Sequence, residues 1–155
     1  MSIELPEEGA TIALAERIAT ALPDERGGWT ILLEGELGAG KSTLARALIR
    51  ALGHAGAVPS PTYTLVEPYD LPGGTIYHVD LYRVSDAEEL RYLGWNELDH
   101  GLRLVEWPDR APELAERADL RIRLAYAGDG RAASLEPLSE RGAGLAERLR
   151  SQSLD

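Results

Sequence analysis

Apolar residues recur along the chain at two spacings, and the alternation between them predicts the elements. Ser2–Leu5 reads as a short edge strand. Ala10, Leu14, Ile18 and Leu22, joined by Ala15 and Ala19, form a stripe at helical period. Pro6 suits the start of that helix, where its missing N–H costs nothing, and Glu7 and Glu8 favour the positive end of the dipole. Pro23 and the Gly27-Gly28 pair close it. Trp29–Glu34 is a continuous apolar run of strand length, followed by a glycine-rich loop, Gly35–Gly40. Lys41–Leu52 returns to helical period, with Leu44, Ala47, Leu48 and Ala51 on one face and Gly53 as the stop.

Beyond the two prolines Pro59 and Pro61, the chain reads as short strands. Tyr63–Glu67 is one, which Pro68 ends or confines to an edge. Leu71-Pro-Gly-Gly74 is a turn, and Thr75–Asp80 is the next strand. Ser85-Asp-Ala-Glu88 has the form of a capping box opening a short helix through about Tyr92. Leu102–Glu106 is a strand halted by Trp107-Pro108, and Asp109–Arg117 reads as a short helix. Asp119–Tyr126 and Arg131–Glu136 alternate around Gly128-Asp-Gly130, a hairpin signal. Leu138–Leu149 reads as a C-terminal helix weakened by Gly142 and Gly144, with residues 151–155 a frayed tail. The strand–helix–strand order predicts an α/β fold with a largely parallel central sheet flanked by helices, plus the C-terminal hairpin. With no repeat or linker, residues 1–150 are expected to form one domain.

Composition narrows the chemistry. Sixteen basic against 26 acidic residues give a net charge of −10, which disfavours a broad grip on nucleic acid. There is no cysteine, so disulfides, thiolate metal sites and cysteine nucleophiles are excluded. No apolar run reaches the ~18 residues of a membrane span, and the start carries no secretory pattern, so a cytoplasmic protein without membrane contact is expected. Fifteen of the basic residues are arginine, and the one lysine is Lys41.

That lysine falls inside Gly35-Glu-Leu-Gly-Ala-Gly-Lys41-Ser42, which matches the phosphate loop G-x-x-x-x-G-K-[ST] between a strand and a helix. Glycines let backbone N–H groups turn toward an anion, and the following helix adds its positive end. Lys41 can reach the outer phosphates as a point charge, and the Ser42 hydroxyl can ligate Mg²⁺. Asp80 and Glu106 each end an apolar strand, where open α/β sheets place their ligands. Asp80 is expected in the Walker B position. His78 stands two residues earlier on the same strand face, able to steady Asp80 or to serve as a satisfied structural histidine. Thr62 and Thr64 are candidate γ-phosphate sensors, or members of a threonine-rich edge strand. Trp107 can close over the nucleotide or simply pack. Pro108 predicts an extended Trp107, which would hold that segment against the site.

With the phosphate loop, Ser60-Pro-Thr-Tyr-Thr-Leu-Val66, His78-Val-Asp-Leu-Tyr-Arg83 and Glu106-Trp-Pro108 in that order, the chain resembles the bacterial TsaE (YjeE) family from about Pro6 to the hairpin. The resemblance implies a P-loop NTPase-like fold that binds ATP/ADP with Mg²⁺ and hydrolyses ATP weakly alone. It implies action on a TsaB–TsaD complex in the threonylcarbamoyladenosine modification of tRNA, in which TsaD makes the transfer and tRNA is met only indirectly. The chain itself is expected to be a monomer when isolated. The implied nucleotide contacts are Thr11, Gly35, Glu36, Leu37, Gly38, Ala39, Gly40, Lys41, Ser42, Thr43, Thr64, Trp107 and Arg131. Lys41, Asp80 and Glu106 are the implied catalytic residues, and Ser42, Asp80 and Glu106 the metal-facing ones. Glu36 stands where the family has Asp or Asn, Ser42 where it often has Thr, and Gly9 where another residue is commoner.

Three other readings fit parts of the pattern. A small-molecule P-loop kinase would need an acceptor site and a basic lid, which Arg110 and Arg117 could supply. A GTPase-like switch would need N-[KT]-x-D, but Asn96-Glu-Leu-Asp99 has Glu97 at the wrong position and precedes a strand. A non-catalytic nucleotide-gated adaptor would use the same residues as a weak ATPase.

Overall fold

Successive apolar residues of the inner strands point to opposite faces, and this sorts the protein into one sheet with two unequal cores. The computed structural model describes residues 1–61, 64–85, 88–92 and 94–153. The strands are β1 (Ser2–Leu5), β2 (Thr30–Gly35), β3 (Val66–Leu71), β4 (Gly74–Asp80), β5 (Leu102–Glu106), β6 (Leu120–Ala127) and β7 (Gly130–Pro137). The helices are α1 (Glu8–Ala21), α2 (Lys41–Ala51), α3 (Glu89–Tyr92) and α4 (Glu140–Ser153). The strand order is β1-β7-β6-β2-β5-β4-β3, with the phosphate-loop strand β2 at the centre.

In β2, Ile31 and Leu33 join the larger core, formed with Leu14 and Ile18 of α1, Leu44 and Leu48 of α2, and Leu145 and Leu149 of α4. Leu32, between them, joins the smaller core with Val79, Val105, Leu81 and Leu114. The same alternation runs through Ile76 and Val79 of β4 and Leu104 and Val105 of β5. It assigns His78, Asp80 and Glu106 to the face that carries α2.

The sheet is mixed, which corrects the largely parallel expectation. The central pairs β2–β5, β2–β6 and β4–β5 are parallel, whereas β3–β4, β6–β7 and β1–β7 are antiparallel. The physical reason is connection length. Pro72-Gly73 and Gly128-Asp129 are too short for a crossover and can only reverse the chain. β1 then adds antiparallel to β7, closing that edge.

Other differences are local. β3 runs through Pro68 to Leu71, because it is the outermost strand and tolerates a missing N–H. Ser85 donates to Oε1 of Glu89 through both its N–H (3.3 Å) and its hydroxyl (2.5 Å), and the short helix is described over Glu89–Tyr92. The stretch expected as one helix over 109–117 is two 3-10 turns, Pro108–Arg110 and Pro112–Glu116. Pro112 keeps Ala111 out of the helical region (φ −140°, ψ 75°) and breaks the continuity.

Candidate functional site

Parallel pairing brings the carboxyl ends of three strands into line. Leu33 of β2 pairs with Glu106 of β5, and Glu106 pairs with Asp80 of β4. The loop from Gly35 to Gly40 leaves β2 at this edge and runs into α2. Two of its glycines are required by space as well as by backbone. At Gly35 (φ 153°) a Cβ would lie 2.5 Å from the Leu124 carbonyl oxygen, and at Gly38 (φ 82°) 2.7 Å from the Tyr126 hydroxyl. Tyr126 also donates to the Leu37 carbonyl at 3.0 Å, so β6 buttresses the loop from the side.

Lys41 is 5% exposed, unusually little for a lysine. Its ammonium donates to the Gly35 carbonyl and lies 3.4 Å from the centre of the Trp107 ring. Burial lowers its pKa below the usual value, and the attraction of Glu106, then Asp109, then Asp80, only partly offsets this. The Ser42 hydroxyl donates to Oε1 of Glu106 at 3.1 Å. Nε2 of His78 lies 2.6 Å from the other oxygen, Oε2. Asp80 is anchored separately, its Oδ1 accepting the Tyr82 N–H at 2.9 Å. The histidine therefore holds Glu106 rather than Asp80. The strand beside β2 is β5, so the carboxylate bonded to Ser42 is Glu106, while Asp80 sits one strand further out.

Trp107 is not extended as Pro108 led us to expect. It is left-handed (φ 59°, ψ 49°), and Pro108 opens a 3-10 turn immediately after it. The conformation places the indole on the Lys41 ammonium and against Tyr82, with ring centres 4.9 Å apart, and these contacts hold a backbone that a side chain resists.

A cavity of about 360 Å³ opens over this cluster, lined by Leu37, Gly38, Gly40, Lys41, Ser42, Thr43, Arg46, Asp80, Tyr82, Glu106 and Trp107. A second, of about 250 Å³, shares Gly38, Gly40 and Thr43 and continues to Thr11, Asp129 and Arg131. Arg131 donates to the Gly38 carbonyl at 3.2 Å and stacks on Tyr126 at 4.1 Å. Thr11 and Arg131 thus fall beside the phosphate loop, on the flank away from Asp80 and Glu106. Of the remaining expected contacts, Glu36 and Ala39 shape the loop, the Glu36 carbonyl accepting the Ala39 N–H at 3.0 Å. Thr64 is exposed and lines neither cavity, although the Leu65 carbonyl next to it accepts the Asp80 N–H at 2.9 Å. Thr62 lies outside the described residues.

Arg46 and Tyr82 were not singled out from sequence. Arg46 is four residues beyond Ser42 on α2, and its Nε donates to the Ser42 carbonyl at 3.3 Å, so the i, i+4 spacing was the available signal. Arg110 lies 5.6 Å from the Tyr82 ring, but Arg117 and Asn96 line a different cavity, together with Thr30 and Arg103 at the opposite end of β2 and β5. The two arginines therefore do not form a common lid, and Asn96 is remote from the phosphate loop.

The donor set at the cluster is hard: two carboxylates and a hydroxyl, which suit Mg²⁺. Among the described residues no group of three or more His, Cys, Asp or Glu is arranged to hold a metal unaided, so an ion here would depend on oxygens brought by a ligand. Loop glycines, a lone lysine and a helix N-terminus around one cavity fit a polyphosphate.

Comparison with known proteins agrees with this arrangement. The family described as threonylcarbamoyl adenosine biosynthesis protein TsaE matches residues 5–133. The tRNA threonylcarbamoyladenosine biosynthesis protein TsaE of Haemophilus influenzae is 43% identical over 103 residues, 65% of this chain and 65% of that protein, just under two thirds of its length. Its counterpart from Bacillus subtilis is 37% identical over 126 residues, 80% of this chain and 75% of that one. The crystal structure of Bacillus subtilis YdiB superposes with a TM-score of 0.76 at 27% identity, covering 99% of this chain and 95% of that one. A family match that runs from the end of β1 into β7, with phosphate loop and strand-end carboxylates in place, establishes that the chain belongs to the TsaE family.

Proposed function

We propose that this chain is a monomeric, single-domain cytoplasmic ATPase subunit that acts with a TsaB–TsaD-like complex in the threonylcarbamoyladenosine modification of tRNA. In this reading it hydrolyses ATP slowly alone and faster with its partners, supports their turnover, and leaves group transfer and most tRNA contact to them. The observation that carries the reading is the meeting of Lys41, Ser42 and Glu106 in one cavity at the end of β2. The relatives' names supply the tRNA pathway.

Each residue then has a task. The loop Gly35–Gly40 and the start of α2 receive the phosphates. Lys41 leaves the Gly35 carbonyl and Trp107 to meet them, exchanging a half-compensated buried charge for a full partner. Ser42, Asp80 and Glu106 would hold Mg²⁺, which when bound offsets the phosphate charge. Glu106, already bonded to the Ser42 hydroxyl, is placed to orient an attacking water or to take the hydroxyl proton as a hydrogen bond. Thr11 and Arg131 receive the nucleoside end in the second cavity. Leu37, 74% exposed, with Tyr82 and Tyr126, rims the first cavity and the loop with apolar surface that a partner protein would cover. No helix among the described residues is long and apolar enough to cross a membrane.

The test is Lys41→Ala. ATP with Mg²⁺ should raise the melting temperature of the wild type by mass action and that of the variant much less. Equal shifts would remove Lys41 from the nucleotide site. Turnover with and without TsaB and TsaD tests the partner dependence, and isolated turnover on the order of ten per second would overturn it.

A further inference from the structure

His78 is 1% exposed and Glu106 2%, so the contact between them is sheltered from bulk water. In the β4–β5 register His78 faces Leu104, one alternation behind the Asp80–Glu106 pair, so the imidazole meets the glutamate diagonally on the α2 face. Nε2 lies 2.6 Å from Oε2, whereas Nδ1 is buried with no hydrogen-bond partner among the described residues. A carboxylate can only accept, and a proton on Nδ1 would point at no acceptor. The imidazole therefore carries its hydrogen on Nε2 and donates it to Glu106. With Oε2 taken, the glutamate keeps one oxygen for the cavity, and Ser42 lies 3.1 Å from it. Asp80 needs no such support, because its own following backbone N–H fixes it.

We propose that His78 is a positioning residue: it clamps Oε2 of Glu106 so that Oε1 alone is presented to Ser42 and the phosphate loop, and this sets the geometry in which Glu106 supports ATP hydrolysis. The proposal rests on the ATPase reading above and extends it to a residue outside the cavity wall. Glutamate has three side-chain torsions, and a carboxylate at a strand end would otherwise swing toward the Lys41 ammonium, which attracts it. Displacing a reacting group by about 1 Å can cost a hundredfold in rate.

The experiment combines kinetics in the TsaB–TsaD complex with nitrogen-15 NMR of the isolated chain. His78→Leu should lower the stimulated kcat at least tenfold while the ATP dissociation constant changes less than about twofold. His78→Gln, whose Nε2 can donate from nearly the same place, should recover most of the loss. In a Glu106→Gln background, His78→Leu should cost little more, because residues acting as a unit are not additive. NMR of the wild type should find the His78 hydrogen on Nε2 and a bare Nδ1, with or without nucleotide. A hydrogen on Nδ1, equal losses for the Leu and Gln variants, or additive losses in the double variant would each overturn the clamp. If Glu106→Gln alone hydrolyses ATP at the wild-type rate, the failure lies in the ATPase reading of Glu106, and the NMR result still decides the contact.

Discussion

Replacing Trp107 by alanine and by glycine gives opposite orders of stability for the two backbones considered at this residue. Both substitutions remove the same ring, its contact with the Lys41 ammonium and its packing on Tyr82, so those losses cancel in the comparison. What remains is the backbone at φ 59°, which the Arg110 N–H still holds by donating to the carbonyl of residue 107 at 3.2 Å when the ring is gone. An alanine held in the left-handed region costs about 1–2 kcal/mol, and glycine almost nothing. Glycine gives back about 0.5–1 kcal/mol through the freedom it has when unfolded. The difference should leave Trp107→Gly more stable than Trp107→Ala by about 1 kcal/mol or slightly less, or roughly 2–3 °C in melting temperature for a chain of this size. An extended Trp107 predicts the reverse, with alanine ahead by about 0.5–1 kcal/mol. Urea and thermal unfolding of the two variants without nucleotide decide the sign. A Trp107→Ala protein as stable as Trp107→Gly, or more so, refutes the left-handed turn.

The C-terminal helix offers a paired test, since a Cβ at Gly142 would run into the Asp119 carbonyl oxygen while at Gly144 it would meet only the flexible end of Arg148. Gly144→Ala should stabilise by about 0.5–1 kcal/mol through helix propensity, and Gly142→Ala should destabilise, so urea midpoints moving the same way would contradict the packing of α4. Lys41 has a lowered pKa in the fold, so its charge penalises the folded state fully below that pKa, and the penalty vanishes as pH rises to the unfolded value of 10.5. Wild-type stability, measured against Lys41→Met by urea unfolding, should therefore improve from about pH 7 to about pH 10; a constant difference would show that burial does not oppose the ammonium.

Much of the site is local in sequence, and that part was legible. The phosphate loop joins an apolar run to a helical one, and its glycines, lysine and serine have fixed offsets, so β2, the loop and the start of α2 follow from spacing. Asp80 and Glu106 could be read as strand ends because the apolar runs before them stop there. Which strand lies beside β2 is not a local property. β5 inserts there and brings Glu106 to Ser42, while β4 and its Asp80 stay one place out. His78 looked toward Asp80 because they share a strand; the β4–β5 register turned it to Glu106. Trp107 departs from the usual influence of a following proline because tertiary contacts with Lys41 and Tyr82 outweigh it. The parallel expectation rested on strand–helix alternation, and it failed at the chain reversals around Pro72-Gly73 and Gly128-Asp129.

The central place of β2 also dictates an order of events during synthesis. Ile31 pairs on one side with Leu104 and on the other with Leu120, and Ser2 of β1 waits for Ser134. A chain emerging from its N-terminus completes the phosphate loop early, yet has nothing to seat it against until β5 and then β6 have followed. Closing such long loops is entropically costly and slow, and helices α1 and α2 can form by local contacts well before the sheet does. A fragment ending before β5 therefore carries the whole G-x-x-x-x-G-K-S segment without the two strands that flank β2, so the setting of the loop depends on residues that follow its motif by 60 or more.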